Sequence, residues 1–322
     1  MTEKREIGLK AISAARAERQ RSKHGRIPDK VWAGAGVLVL LTVGIAWAMS
    51  GRKLGNDKTD LLAKRNAAVV TLGKEWTPLR DRIEKITLEA AGEYKGDLVD
   101  PEAATWNFRS SPGIYLRLLV DDAKDAKTLR KRAQDSLKDA FTGCLLREPN
   151  AALTRGEPDA GTQPEQPWNL RQAYASTRIL NEEWADEVKE SSDDIRLRVF
   201  QQQYEKAQRD EIPLAIELVK RAEFYLLVLD EVVPEAAQYA GDAGTIGEEA
   251  LEQVPHPARV HIVNLKTGKE LVRLRRSADA DFRFAGGEAV RDPVILASMR
   301  RQVNNCALAQ EVSSALKAGG AK

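Results

Sequence analysis

Three histidines and two cysteines bound the metal and thiol chemistry open to this 322-residue chain. His256 and His261 stand five apart around Pro257, with no carboxylate at a spacing that would complete a zinc site, so both are expected to be ordinary strand or surface histidines. The third, His24, precedes a long apolar run and cannot join them if that run crosses a membrane. The carboxylate pairs Asp121-Asp122 and Asp193-Asp194 are explained as helix starts, where acids accept free backbone amides. Asp279-Ala280-Asp281 opens like a calcium loop, but Arg283 occupies the place of the third oxygen ligand. Ser314 and Lys317 form an S-x-x-K without its companion motifs, and neither a nucleophile elbow nor a Walker loop occurs. The sequence therefore predicts no catalytic constellation, no metal and no cofactor.

Two features remain that could do something chemical. Arg259, Lys266, Lys269, Arg273, Arg275 and Arg276 crowd one short stretch and form a candidate patch for an anion or an acidic partner. The competing meaning is charge placed along a sheet edge to prevent edge-to-edge pairing. Cys144 and Cys306 lie 162 positions apart, outside any C-x-x-C pair, so they are either two buried small hydrophobes or one structural disulfide. Spacing leaves both alternatives open, because geometry decides whether two thiols meet.

Positioning these groups falls to an unevenly charged chain. Residues 1–30 carry nine bases against four acids, residues 31–51 carry no charge, and the remainder is mildly acidic, although the whole chain is only +2. The neutral block, Val31 to Gly51, is long enough as a helix to cross roughly 30 Å of hydrocarbon. Leu41 lies at its middle, and Trp32 and Trp47 lie near its ends, where indole rings favour the headgroup boundary. Ala46-Trp47-Ala48 resembles a signal-peptide cleavage site, but the basic region ahead of the run is about thirty residues, too long for a leader. An uncleaved anchor is expected, with the basic arm in the cytoplasm and the body outside.

Beyond the anchor, Leu62, Val69, Trp76 and Ile83 recur every seven residues, with Leu72, Leu79 and Ile86 in the second core position and Arg65 interrupting. Thr77-Pro78 predicts a break into two helices, about 57–75 and 78–93, serving as a dimerising stalk or as a hairpin packed on its own domain. Strands are expected at 114–120, 142–147, 224–229, 259–265 and 270–276, the last two joined by a turn at Gly268. Helices fill the intervals, with Leu129, Ala133 and Leu137 on one face of the first, and Ile195, Val199 and Tyr204 on one face of a later one. Residues 149–167 form a Pro/Gly-rich loop, and a terminal helix spans about 293–317.

The fold class expected is α+β: a basic arm (1–30), one transmembrane helix (31–51), a helical stalk or hairpin (52–96) and an exported domain (97–322) of about five strands and several long helices. Function follows less directly. A single-pass protein of the inner (cytoplasmic) membrane is expected, with a non-catalytic extracytoplasmic domain that binds or scaffolds envelope components. Its expected partners are the lipid bilayer and another envelope protein, with a second copy through residues 57–93 if that segment is a dimerising stalk. Nucleic acid is not expected, because the basic arm has no aromatic residue to stack on bases. The alternative is an exported hydrolase-type enzyme whose site is assembled from residues distant in sequence.

Overall fold

A computed structural model describes residues 53–108, 110–136, 139–146, 167–240, 246–277 and 292–319, with Leu40 and Thr42. Trp32, Leu41 and Trp47, most of the expected anchor, the basic arm, Leu137, Arg283 and nearly all of the 149–167 loop lie outside the described residues. Among the described residues, no helix is long and apolar enough to cross a membrane. The chain divides into two units, Met1–Leu61 and Leu62–Lys322.

Residues 53–90 are helical without a break and form helix α1. This corrects the expected division at Pro78. Within α1 the five residues Val69–Gly73 widen into a π turn, and the α-helical stretch Lys74–Ala90 carries Pro78 inside it. Proline there removes one backbone hydrogen bond. The loss is tolerated because Trp76 and Ile83 on either side are both 1% exposed and pin the helix by packing. Arg65, which looked like an interruption, is buried. Its guanidinium donates to the carbonyls of Ile179 (3.2 Å) and Leu180 (2.8 Å) and to Glu182 (2.8 Å). It thereby satisfies the free carbonyls of the 3-10 turn Arg178–Leu180.

A mixed six-stranded open sheet lies at the centre of the second unit. Its strands are β1 (Leu98–Val99), β2 (Gly113–Leu119), β3 (Trp168–Asn169), β4 (Phe224–Asp230), β5 (Pro257–Asn264) and β6 (Glu270–Ser277), in the order β1-β6-β5-β4-β2-β3. β2 runs parallel to β3 and β4, and the other pairs are antiparallel. The hairpin β5–β6 forms as the sequence predicts, with Gly268 at φ 75°. The α+β class holds, with one correction: Phe141–Leu145 is helix α4, where a strand over 142–147 was expected. A six-residue apolar run has no period long enough to distinguish the two. Locally the helix is favoured because Asp139 accepts from the Phe141 amide at 2.9 Å.

Helices cover both faces of the sheet; α2 (Pro101–Thr105), α6 (Glu182–Glu190) and α8 (Glu248–Leu251) are further helices of this unit. On one, Tyr115, Phe224, Leu226, Val228, Val260 and Ile262 pack with Phe141 of α4 and with Leu308, Ala309 and Val312 of α9 (Pro293–Gly319). A disulfide joins Cys144 of α4 to Cys306 of α9, with Cα atoms 5.1 Å apart, so the bridged alternative is the correct one. On the other face, Thr87 of α1 hydrogen-bonds the Tyr225 hydroxyl at 2.9 Å, and Trp76 meets Tyr174 edge-on. Tyr174 belongs to α5 (Arg171–Thr177), and Glu84 of α1 takes a two-pronged contact from Arg130 of α3 (Ala126–Asp135). Of the seven-residue series in α1, Trp76 and Ile83 are buried within their own chain. Helix α3 is capped by Asp125, whose side chain accepts from Lys127 and Thr128, while Asp121-Asp122 fall in a preceding 3-10 turn. A helix over residues 194–221, α7, widens at Ala207–Glu211. It buries Leu197, Phe200 and Tyr204 and leaves Ile195 and Val199 exposed, which corrects the face expected there.

Candidate functional site: a buried arginine cluster

Arg117 stands in the middle of β2, an otherwise apolar strand, and is 4% exposed. A buried guanidinium is stable only if its charge and its five donors are met. The parallel register sets Leu119 beside Asp230, the last residue of β4, so Asp230 falls on the same face as Arg117, a short way along the sheet. Arg117 Nε lies 2.6 Å from Asp230 Oδ2 and Nη2 lies 3.0 Å from Oδ1, a planar two-pronged pair. Nη1 faces Glu252 Oε1 at 3.1 Å and Asp139 Oδ2 at 3.5 Å, and donates to the side-chain oxygen of Asn305 on α9. Asp139 also accepts from the Tyr115 hydroxyl.

His256 completes the cluster. Its Nδ1 is 2.8 Å from the Val254 carbonyl and its Nε2 is 3.0 Å from Asp230 Oδ1. Both partners only accept, so both ring nitrogens carry protons and the imidazole is a cation. Burial works to lower the His256 pKa, but the hydrogen bond and charge of Asp230 override it, and the net shift is upward. Burial likewise works to raise Asp230, but the Arg117 charge and then His256 hold its carboxyl well below the ordinary range. Glu252 goes the other way. Burial raises it to about 7, and Asp139 and Asp230 add to that, outweighing the attraction of Arg117. Two cations and ionised Asp230 thus sit beside a carboxyl that exchanges its proton near neutrality.

Shifted carboxylates converging at the carboxyl end of a parallel strand pair are what an active site would require. The space beside this cluster, however, is a cavity of about 10 Å3 bounded by Arg117, His256, Asn304 and Asn305, enough for one water. No group of three His, Cys, Asp or Glu side chains is placed to hold a metal ion among the described residues.

All six residues of the candidate basic patch are placed, and each meets a carboxylate. Arg259 and Arg275 share Glu231, Lys266 pairs with Glu223, Lys269 with Asp100 and Glu102, Arg273 with Glu270, and Arg276 with Asp97. Arg259 and Arg273 also donate to the carbonyls of Gly92 and Gly96. Most of these contacts fasten residues 92–102, the connection from α1 into the sheet, onto the hairpin. β6 is not a bare edge, because Leu98 and Val99 pair with it at Arg273 and Val272.

Sequence reasoning missed Arg117, Asp139, Asp230, Glu252 and His256 as a group, since they come from widely separated parts of the chain. One signal was available: Arg117 and Asp230 are the charged residues within two strands that otherwise read as wholly apolar, and such residues need each other. No family model matches the chain, and no match is found among curated proteins or solved structures.

Proposed function

We propose that the chain is a single-pass membrane-anchored protein whose extracytoplasmic domain acts by binding other envelope components. The observation that carries the non-catalytic reading is the closure of the Arg117 cluster. Its acids, its histidine and its arginine are matched to one another, and the room left holds one water. Such a network holds a fold together and has no space for a substrate. The disulfide Cys144–Cys306 suggests an oxidising, extracytoplasmic location, since such bridges are rare where thiols are kept reduced. The apolar block 31–51 supports the anchor, and the basic arm supports an N-terminus left in the cytoplasm. A catalytic reading keeps one observation in its favour, the Glu252 carboxyl near neutrality among other acids.

Cross-linking intact spheroplasts with a membrane-impermeant reagent tests the proposal. The expected result is a set of adducts between the anchored chain and other envelope proteins, unchanged in a Glu252→Gln variant. Adducts that form only after lysis would remove the location, and a chain that yields none would remove the binding role.

A further inference from the structure

A cavity of about 550 Å3, a size usual for small-molecule sites, opens between α2, α4 and α9 and shares no wall residue with the one beside Arg117. One wall is aromatic. Trp106 and Phe108 follow α2 directly, and both are half-buried. Their ring centres are 5.8 Å apart, and each meets Phe224 of β4 edge-on, at 6.2 and 5.2 Å. Phe224 lies over Gly113 of β2, where a Cβ would run into its ring. That glycine lets the three rings settle on the sheet, so the wall is in place before anything binds. Leu145 and Leu146 at the end of α4 and Leu316 of α9 form the aliphatic side. Apolar surface left facing an open cavity forgoes about 25 cal/mol per Å2, which an apolar ligand would recover.

α9 supplies polar groups to the same wall. Ser313 and Lys317 both line the cavity and stand four residues apart, on one side of the helix. Neither side chain has a hydrogen bond or ion pair among the described residues, unlike the six bases of the hairpin patch. No acid lines the cavity among the described residues, and Glu102 of α2 is taken up by Lys269 at 3.2 Å. The carbonyls that end α9 amount to about half a negative charge, which the whole charge of Lys317 exceeds. An ammonium and a hydroxyl on one side of an otherwise apolar slot suit the two oxygens of a carboxylate.

We propose that this cavity binds a medium-chain fatty carboxylate, its oxygens accepting from Lys317 Nζ and the Ser313 hydroxyl. Its alkyl chain lies between the Trp106 and Phe108 rings and the leucines of α4 and α9. Charge complementarity selects this ligand: a neutral alkyl group leaves Lys317 unpaired, and an alkylammonium is repelled by it. The site goes beyond the anchored-domain reading and does not rest on it, since binding is measured on the isolated full chain.

The test uses the full-length chain in detergent with 5-fluorotryptophan at its six tryptophans, the Trp106 fluorine resonance being assigned with Trp106→Phe. Octanoate, 1-octanol and octylammonium are titrated at free concentrations fixed by dialysis. Octanoate should shift the Trp106 resonance saturably, octanol should bind about fivefold more weakly, and octylammonium more weakly still. Lys317→Gln, at an exposed position, should bring octanoate down to the affinity of octanol and leave octanol unchanged. Ala104→Phe, which fills the cavity from an exposed wall position, should remove both shifts. Overturning results are a Trp106 resonance that octanoate does not move, octanol or octylammonium binding as tightly as octanoate, or octanoate affinity unchanged in Lys317→Gln.

Discussion

Replacing Glu252 by glutamine should make the protein more stable at pH 7.5 and leave it nearly unchanged at pH 4.5. Glu252 is 4% exposed, and its carboxyl is raised from 4.5 to about 7 in the folded chain, first by burial and then by Asp139 and Asp230. Between those two pH values the folded chain keeps a proton that the unfolded chain has released. Unfolding free energy then falls by about 1.4 kcal/mol for each pH unit gained, about 3 kcal/mol over the window. The sign is opposite to that of Asp230, whose lowered pKa stabilises the fold above its unfolded value and is lost as acid is added. His256, raised in the fold, contributes stability that is fully present below pH 6.5 and is lost as pH rises through its higher folded value. Glutamine imitates the protonated acid: it is neutral, similar in shape and still able to donate. Urea unfolding of the full-length chain in detergent, followed by the fluorescence of buried Trp76 and Trp184, gives the comparison at half-unit intervals of pH. Other groups titrate in both proteins, so the quantity that matters is the difference between the two curves. It should open by about 3 kcal/mol in favour of the variant as pH rises from 4.5 to 7.5. Parallel curves, or a variant that is weaker at pH 7.5, would refute the argument that Glu252 is held protonated by burial.

The bridge should leave no labelled thiol in the denatured, unreduced chain and two after reduction; Cys144→Ser should lower stability by about 5 kcal/mol, from a closed loop of 162 residues. Arg65→Met should cost about 2–4 kcal/mol, because the carbonyls of Ile179 and Leu180 lose a buried donor; a shift in the urea midpoint reads this, and no shift would mean water reaches those carbonyls. Leu41→Arg places a charge at the centre of the apolar block, at a cost of about 2.5–3.5 kcal/mol; membrane fractionation should show loss of insertion, and full retention would assign the anchor elsewhere.

Legibility in the sequence followed the range of the physics. Local signals worked: alternation in β2, the compact apolar run of β4 and the turn at Gly268 each require only neighbouring residues. Short signals failed where two structures share one pattern, as at Phe141–Leu145, and Pro78 was overruled by tertiary packing of the residues around it. The face of α7 was misjudged because Leu197 and Phe200, not Ile195 and Val199, meet the core. Among the candidate site residues, the basic side chains were visible as a group, but their acids were not. Glu223, Glu231, Asp97 and Asp100 come from other elements, and only the fold brings them within reach. The Arg117 cluster left only one trace in the sequence, the charges Arg117 and Asp230 in otherwise apolar strands, for the same reason.

The disulfide also changes what one broken peptide bond can do. Residues 144–306 form a closed covalent ring that contains β3, β4, β5 and β6, while β1 and β2 lie outside it. In the sheet, β2 is seated between β4 and β3, and β1 pairs with β6, so each outside strand borders the ring. A protease that cuts once between Cys144 and Cys306 therefore converts a loop into two arms of a single molecule, and no fragment can diffuse away until the bridge is reduced. On a non-reducing gel such a nicked chain migrates as one species, and adding a thiol splits it in two. In an oxidising compartment, a domain built this way keeps its core strands together through damage that would separate an unbridged chain.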